Sequence, residues 1–133
     1  MPEGMDIVVD LKTTQDAGPA FARSAYNFGY HAKAHHYRLV RRLVNVTMGE
    51  PDVMPDYLWL AVESEPPHNV AIYEPDPDMA VVGERDWWRG INALKAAKAS
   101  GEWPGLPTDI LPLSPPAWVA RQLDDVSGMG LEL

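Results

Sequence analysis

The stretch Asp6-Ile7-Val8-Val9-Asp10-Leu11-Lys12-Thr13 decides how the chain is read. It is β-branched and apolar with partial alternation, the pattern of a β-strand. Because Ile7, Val8 and Val9 are consecutive, the inward set is ambiguous, and burial on both faces fits an α/β protein. Side chains alternate with period two along a strand, so Asp10 and Lys12 share a face. An aspartate holds a hard divalent cation through oxygen. A neighbouring ammonium orients a nucleophilic water or stabilises charge developing on a phosphate. The same D-x-K tripeptide also serves as a plain surface ion pair, and spacing alone does not choose between the two.

Downstream, Asp16 to Pro19 reads as a helix start, with Asp16 as cap and Pro19 in the first turn. Phe21, Ala25 and Phe28 follow on one helix face, and Gly29 interrupts. A second helix has Tyr30, Ala34, Tyr37, Val40 and Val44 on its apolar face. His31, His35, Arg38 and Arg42 form a neighbouring stripe, joined by Arg41. Tyr57–Glu63 and Val70–Tyr73 read as an antiparallel hairpin turning at Pro66-Pro67-His68-Asn69. Asp76-Pro77-Asp78 starts a third helix with Trp87, Ile91, Leu94 and Ala97 as its stripe and Gly101 as its stop. Beyond Glu102 the chain is proline-rich and extended, expected to pack through Trp103, Leu106 and Leu113, with a short helix over Ala117–Leu123. The fold expected is α/β: a small mixed sheet of the Asp10 strand and the hairpin, flanked by the two long helices.

The chain has 133 residues, the size of one domain, and its 46% hydrophobic and 23% charged content argues against disorder. Zero cysteines exclude disulfides, cysteine-ligated zinc and thiol nucleophiles. No apolar run is long enough to span a bilayer, and no signal peptide is read. A net charge of -8 argues against a simple nucleic-acid coat protein. The charge is uneven, however. Residues 1–42 carry six Lys/Arg against four Asp/Glu, and the remainder five against fifteen, so a polyanion would meet the first third. The acidic remainder also serves solubility, with no partner required.

The order Val8-Val9-Asp10-Leu11-Lys12-Thr13-Thr14, Phe21, Arg23-Ser24-Ala25 and Gly29-Tyr30-His31 resembles the exodeoxyribonuclease VIII (RecE-type) branch of the PD-(D/E)XK nuclease superfamily. Val62-Glu63-Ser64-Glu65-Pro66-Pro67 is similar to that family's hairpin, and Ser100–Gly105 with Pro116-Ala117-Trp118 to its closing segment. The resemblance implies a partial restriction-endonuclease-like core. It implies an Mg²⁺-dependent (or Mn²⁺-dependent) exonuclease acting on double-stranded DNA ends in phage-type recombination. Asp10 and Lys12 match the acid and lysine of the motif, as metal ligand and water activator, and the Leu11 carbonyl is a further metal ligand by the same analogy. Tyr37 matches the tyrosine of a Q-x-x-x-Y helix motif, in which Lys33 replaces the glutamine. Homo-oligomers and a cytoplasmic location are likewise implied.

The family's first metal-binding aspartate has no room in the nine residues before Asp10; Asp6 is too near, and nothing supports Glu3. Residues 1–126 are therefore read as the C-terminal part of such a domain, with 127–133 a frayed tail. The alternative is a non-catalytic remnant that binds DNA or another protein. His31 and His35 have a two-ligand metal spacing, but Lys33 between them disfavours a cation. The stripe of His31, His35, Arg38, Arg41 and Arg42 is the expected phosphate-tracking surface, unless it is simply solvated. The five tryptophans read as packing residues, and Glu63 as a hairpin-terminal charge.

Overall fold

The computed structural model describes residues 6–106, 109–117 and 119. Two compact units divide the chain, residues 1–101 and 102–133. The first unit runs β1 (Ile7–Thr14), α1 (Phe21–Asn27), α2 (Tyr30–Thr47), β2 (Asp56–Glu63), β3 (Val70–Tyr73) and α3 (Pro77–Ser100). Its sheet has the order β1-β2-β3, with β1 parallel to β2 and β2 antiparallel to β3. This is a small α/β fold with a mixed sheet, as the strand and hairpin patterns require. Among the described residues, no helix is long and apolar enough to cross a membrane.

Alternation along the strands sets two unequal faces. Tyr57, Trp59 and Ala61 of β2 are buried beneath Phe21, Ala25 and Ala34 of α1 and α2. Phe21 stacks on Tyr73 at 5.0 Å between ring centroids. Burying each such aromatic contributes roughly 2–3 kcal/mol. The opposite face is open: Val9, Leu11, Val70 and Ile72 are all more than half exposed. The expectation that β1 is buried on both faces is thus corrected, because the crossover helices lie on one side of the sheet.

Other expectations shift for local reasons. Asp16 does not cap α1: its Oδ1 accepts from the Gly18 N–H at 2.6 Å, and the helix begins later, at Phe21, beyond Pro19. Phe28 does not join Phe21 and Ala25 in the core. It ends α1 just before Gly29, whose left-handed φ of 67° redirects the chain, and it is 66% exposed. α2 buries His31 and Ala34, while Tyr37, Val40 and Val44 of its expected inner face are exposed. α3 packs along α2 on the side that carries His31. At the seam Gly83 of α3 lies so close that a Cβ there would meet the His31 carbonyl oxygen at 2.4 Å.

α3 itself follows its signals: Asp76 accepts from the Met79 N–H at 2.7 Å, and Gly101 closes the helix with φ 75°. Leu94 of its expected stripe is exposed, and Ala97 is buried. In the second unit Trp103, Leu106 and Leu113 are exposed rather than packed. The intervening prolines donate no N–H to any ladder. Glu3, the tail 127–133 and most of the expected helix over Ala117–Leu123 lie outside the described residues.

Candidate functional site

β1 presents Asp10 and Lys12 on the helix-covered side of the sheet, as period-two alternation demands. The Lys12 ammonium lies 2.5 Å from both carboxylate oxygens of Asp10. Tyr57 completes the group from β2. The parallel register sets Tyr57 opposite Val8, and its hydroxyl donates to Asp10 Oδ2 at 2.7 Å. Burial, and then the hydrogen bond to Asp10, push the Tyr57 phenol well above its ordinary value of 10.0. It therefore stays a donor at neutral pH. The side chains of Asp10 and Lys12 are 14% and 15% exposed, so the pair is recessed but open to solvent.

α2 supplies the rim. The Tyr30 ring holds Lys12 Nζ at 4.8 Å and Lys33 Nζ at 5.8 Å from its centroid. Tyr37, 44% exposed, lies one turn beyond Lys33 and two beyond Tyr30 on α2. Asp10, Lys12 and Lys33 thus gather around Tyr30, with Tyr37 further along the same helix.

The remaining candidates are placed elsewhere. His31 is buried at the α2–α3 seam, stacked on Tyr26 at 4.9 Å, with Nε2 3.0 Å from Asp86 Oδ2. His35 lies 5.2 Å from the Trp87 ring, and burial holds its pKa below the usual imidazole value. The neighbouring His36 accepts from Trp87 Nε1 at 3.2 Å. Arg38 donates to the Pro55 carbonyl at 2.7 Å, Arg41 to Asp6 at 2.9 Å, and Arg42 pairs with Asp52. Asp6 is also engaged by Asn45, and so turns toward the C-terminal end of α2. Glu63 accepts from the backbone N–H groups of Ala17 and Asn69. The Ala17 bond, first among its causes, holds the carboxyl below its ordinary value. Glu63 thereby fixes two loops.

Among the described residues, no three His, Cys, Asp or Glu side chains group so as to hold a metal ion. Near Lys12 the oxygens include the Asp10 carboxylate, both atoms of which Lys12 already contacts, and the Tyr57 hydroxyl, which donates to Asp10; the Leu11 side chain is on the open face. A hard cation requires at least six oxygen ligands, and Mg²⁺ is usually held by one or two carboxylates plus waters and substrate phosphates. The described residues therefore do not complete an Mg²⁺ site. What they can do is hold an ammonium and a carboxylate in register and present a second ammonium, Lys33, alongside.

The sequence marks Tyr30 only as part of an apolar helix face and of the Gly29-Tyr30-His31 resemblance, and Tyr57 only as the first residue of a strand, not as site residues. The D-x-K spacing could suggest a partner for Asp10, but only the strand register identifies Tyr57. No protein-family model matches the chain, and no curated protein matches it.

Proposed function

We propose that the chain acts on DNA ends as an exonuclease domain similar to the RecE type, with Asp10 and Lys12 as its reacting pair. The observation that supports this most is their side-by-side projection from β1, with Asp10 held from behind by Tyr57. A phosphodiester approaching from α2 meets Lys33 and Lys12. Each is a point charge suited to phosphate oxygens, and Lys12 stabilises the charge that develops during attack. Once a phosphate draws Lys12 away, the freed Asp10 oxygen can orient a water. Bound Mg²⁺ or Mn²⁺ would supply the activated nucleophile in such an enzyme. Its full ligand set is not among the described residues. The test is release of nucleotides from end-labelled duplex DNA in Mg²⁺. Cleavage that Asp10→Ala or Lys12→Ala lowers at least a hundredfold supports the reading, and cleavage unaltered in both variants removes these residues from the chemistry.

A second reading is favoured by one specific observation, the contact of Lys12 with both Asp10 oxygens where a cation would sit. It makes the chain a DNA-end-binding module without hydrolysis. Tight binding of DNA ends with no cleavage at any Mg²⁺ or Mn²⁺ concentration selects it.

A further inference from the structure

The turn between α1 and α2 places an unusual surface beside the Asp10–Lys12 pair. Phe28 is 66% exposed. Its ring lies 5.8 Å from that of Tyr30, which in turn carries Lys12 and Lys33 at its face. Phe28 caps the end of α1 and Gly29, with φ 67°, caps the start of α2, so the turn takes only two residues. Lys33 makes no ion pair among the described residues. The surface is therefore an exposed aromatic next to an unneutralised cation.

Stacking on the Phe28 ring needs a base whose face is available, and the Lys33 ammonium, unlike that of Lys12, which Asp10 already pairs, needs an anion next to it. An unpaired nucleotide offers both, and a paired duplex hides its base faces. An uncharged apolar partner would leave Lys33 unmatched. We propose that Phe28, braced by Tyr30 and flanked by Lys33, forms a stacking platform for the unpaired end of a DNA strand. This deepens the reading of Asp10 and Lys12 as a DNA-end site, and rests on it for the choice of DNA. The strand stacks on Phe28 and passes its phosphates along Lys33 toward Lys12.

The experiment measures fluorescence anisotropy of a labelled oligothymidylate, about twelve nucleotides long, with the full chain in EDTA. Phe28→Ala is expected to weaken binding roughly tenfold, and Phe28→Trp to restore it. Lys33→Ala is expected to weaken binding and flatten its salt dependence by about one unit of slope. Trp88→Ala is the control: Trp88 is also exposed, with Lys95 5.8 Å from its ring, and its loss is expected to leave binding unchanged. Three results would each overturn the platform: no binding by the wild type, equal binding by Phe28→Ala, or an equal loss in Trp88→Ala. Because EDTA removes hydrolysis from the measurement, failure here leaves the Asp10–Lys12 chemistry standing. Failure of cleavage in Mg²⁺ likewise leaves the platform standing.

Discussion

The Tyr57 hydroxyl reaches Asp10 Oδ2 at 2.7 Å from the neighbouring strand, and so fixes the carboxylate that Lys12 holds from the other side. Tyr57 is 2% exposed. Replacing it with phenylalanine removes one hydrogen bond to a charged group and leaves the ring. Tyr57→Phe is expected to lose about 1.5–3 kcal/mol of stability in urea unfolding. In alkali the native state keeps a proton that the unfolded phenol gives up. Stability from this group is therefore full below pH 10.0 and falls as the pH rises beyond it. Tyr57→Phe should show a shallower alkaline loss than the wild type.

Close approach at the α2–α3 seam gives a paired test. Gly83→Ala places a Cβ against the His31 carbonyl, which neither backbone can avoid. The expected cost is roughly 1–3 kcal/mol from overpacking, partly offset by the better helix propensity of alanine. Gly90 lies on the same helix with open space where its Cβ would be, and Gly90→Ala is expected to gain about 0.5–1 kcal/mol. Thermal unfolding of the two variants should move in opposite directions.

Asp86 links the seam to acid stability. Hydrogen bonds from Arg85 first, and then from His31, hold its carboxyl down to about 2. A depressed carboxylate contributes stability above its unfolded value of 3.8, and that contribution is lost as the pH falls toward 2. Urea midpoints measured across this window should decline in the wild type. In Asp86→Asn they should start lower at neutral pH and decline less. An equal decline in both would assign the acid sensitivity to other groups.

The uncovered sheet face predicts an asymmetry of cost. Leu11→Thr and Ile72→Thr change side chains that are 61% and 67% exposed, and each is expected to alter stability by less than about 1 kcal/mol. Trp59→Ala, on the covered face at 2% exposure, is expected to lose about 3–5 kcal/mol. Guanidinium unfolding compares the three.

The elements themselves were legible because their signals are local. The hairpin announced itself through Pro66-Pro67-His68-Asn69, and α3 through Asp76 and Gly101. The shared face of Asp10 and Lys12 followed from strand periodicity alone. What the sequence did not disclose were relationships between elements. α3 covers the side of α2 that carries His31, so the histidine–arginine stripe is divided among Asp86, Trp87, Pro55, Asp6 and Asp52. Periodicity on one helix says nothing about which neighbour will choose its buried face. In the same way, the parallel register that brings Tyr57 to Asp10 is a long-range pairing with no local signature. Phe28 fell out of its expected stripe because the helix stopped one residue before it.

The claim on which the functional reading turns is that DNA meets this chain at the face shared by Asp10, Lys12 and Lys33. Amide chemical-shift mapping with a DNA hairpin bearing a single-stranded end tests it most directly. The expected result is a contiguous set of shifts at Lys12, Phe28, Lys33 and Tyr37. Shifts confined to the α3 surface around Arg85 and Arg89, with those four amides unmoved at saturation, would contradict it.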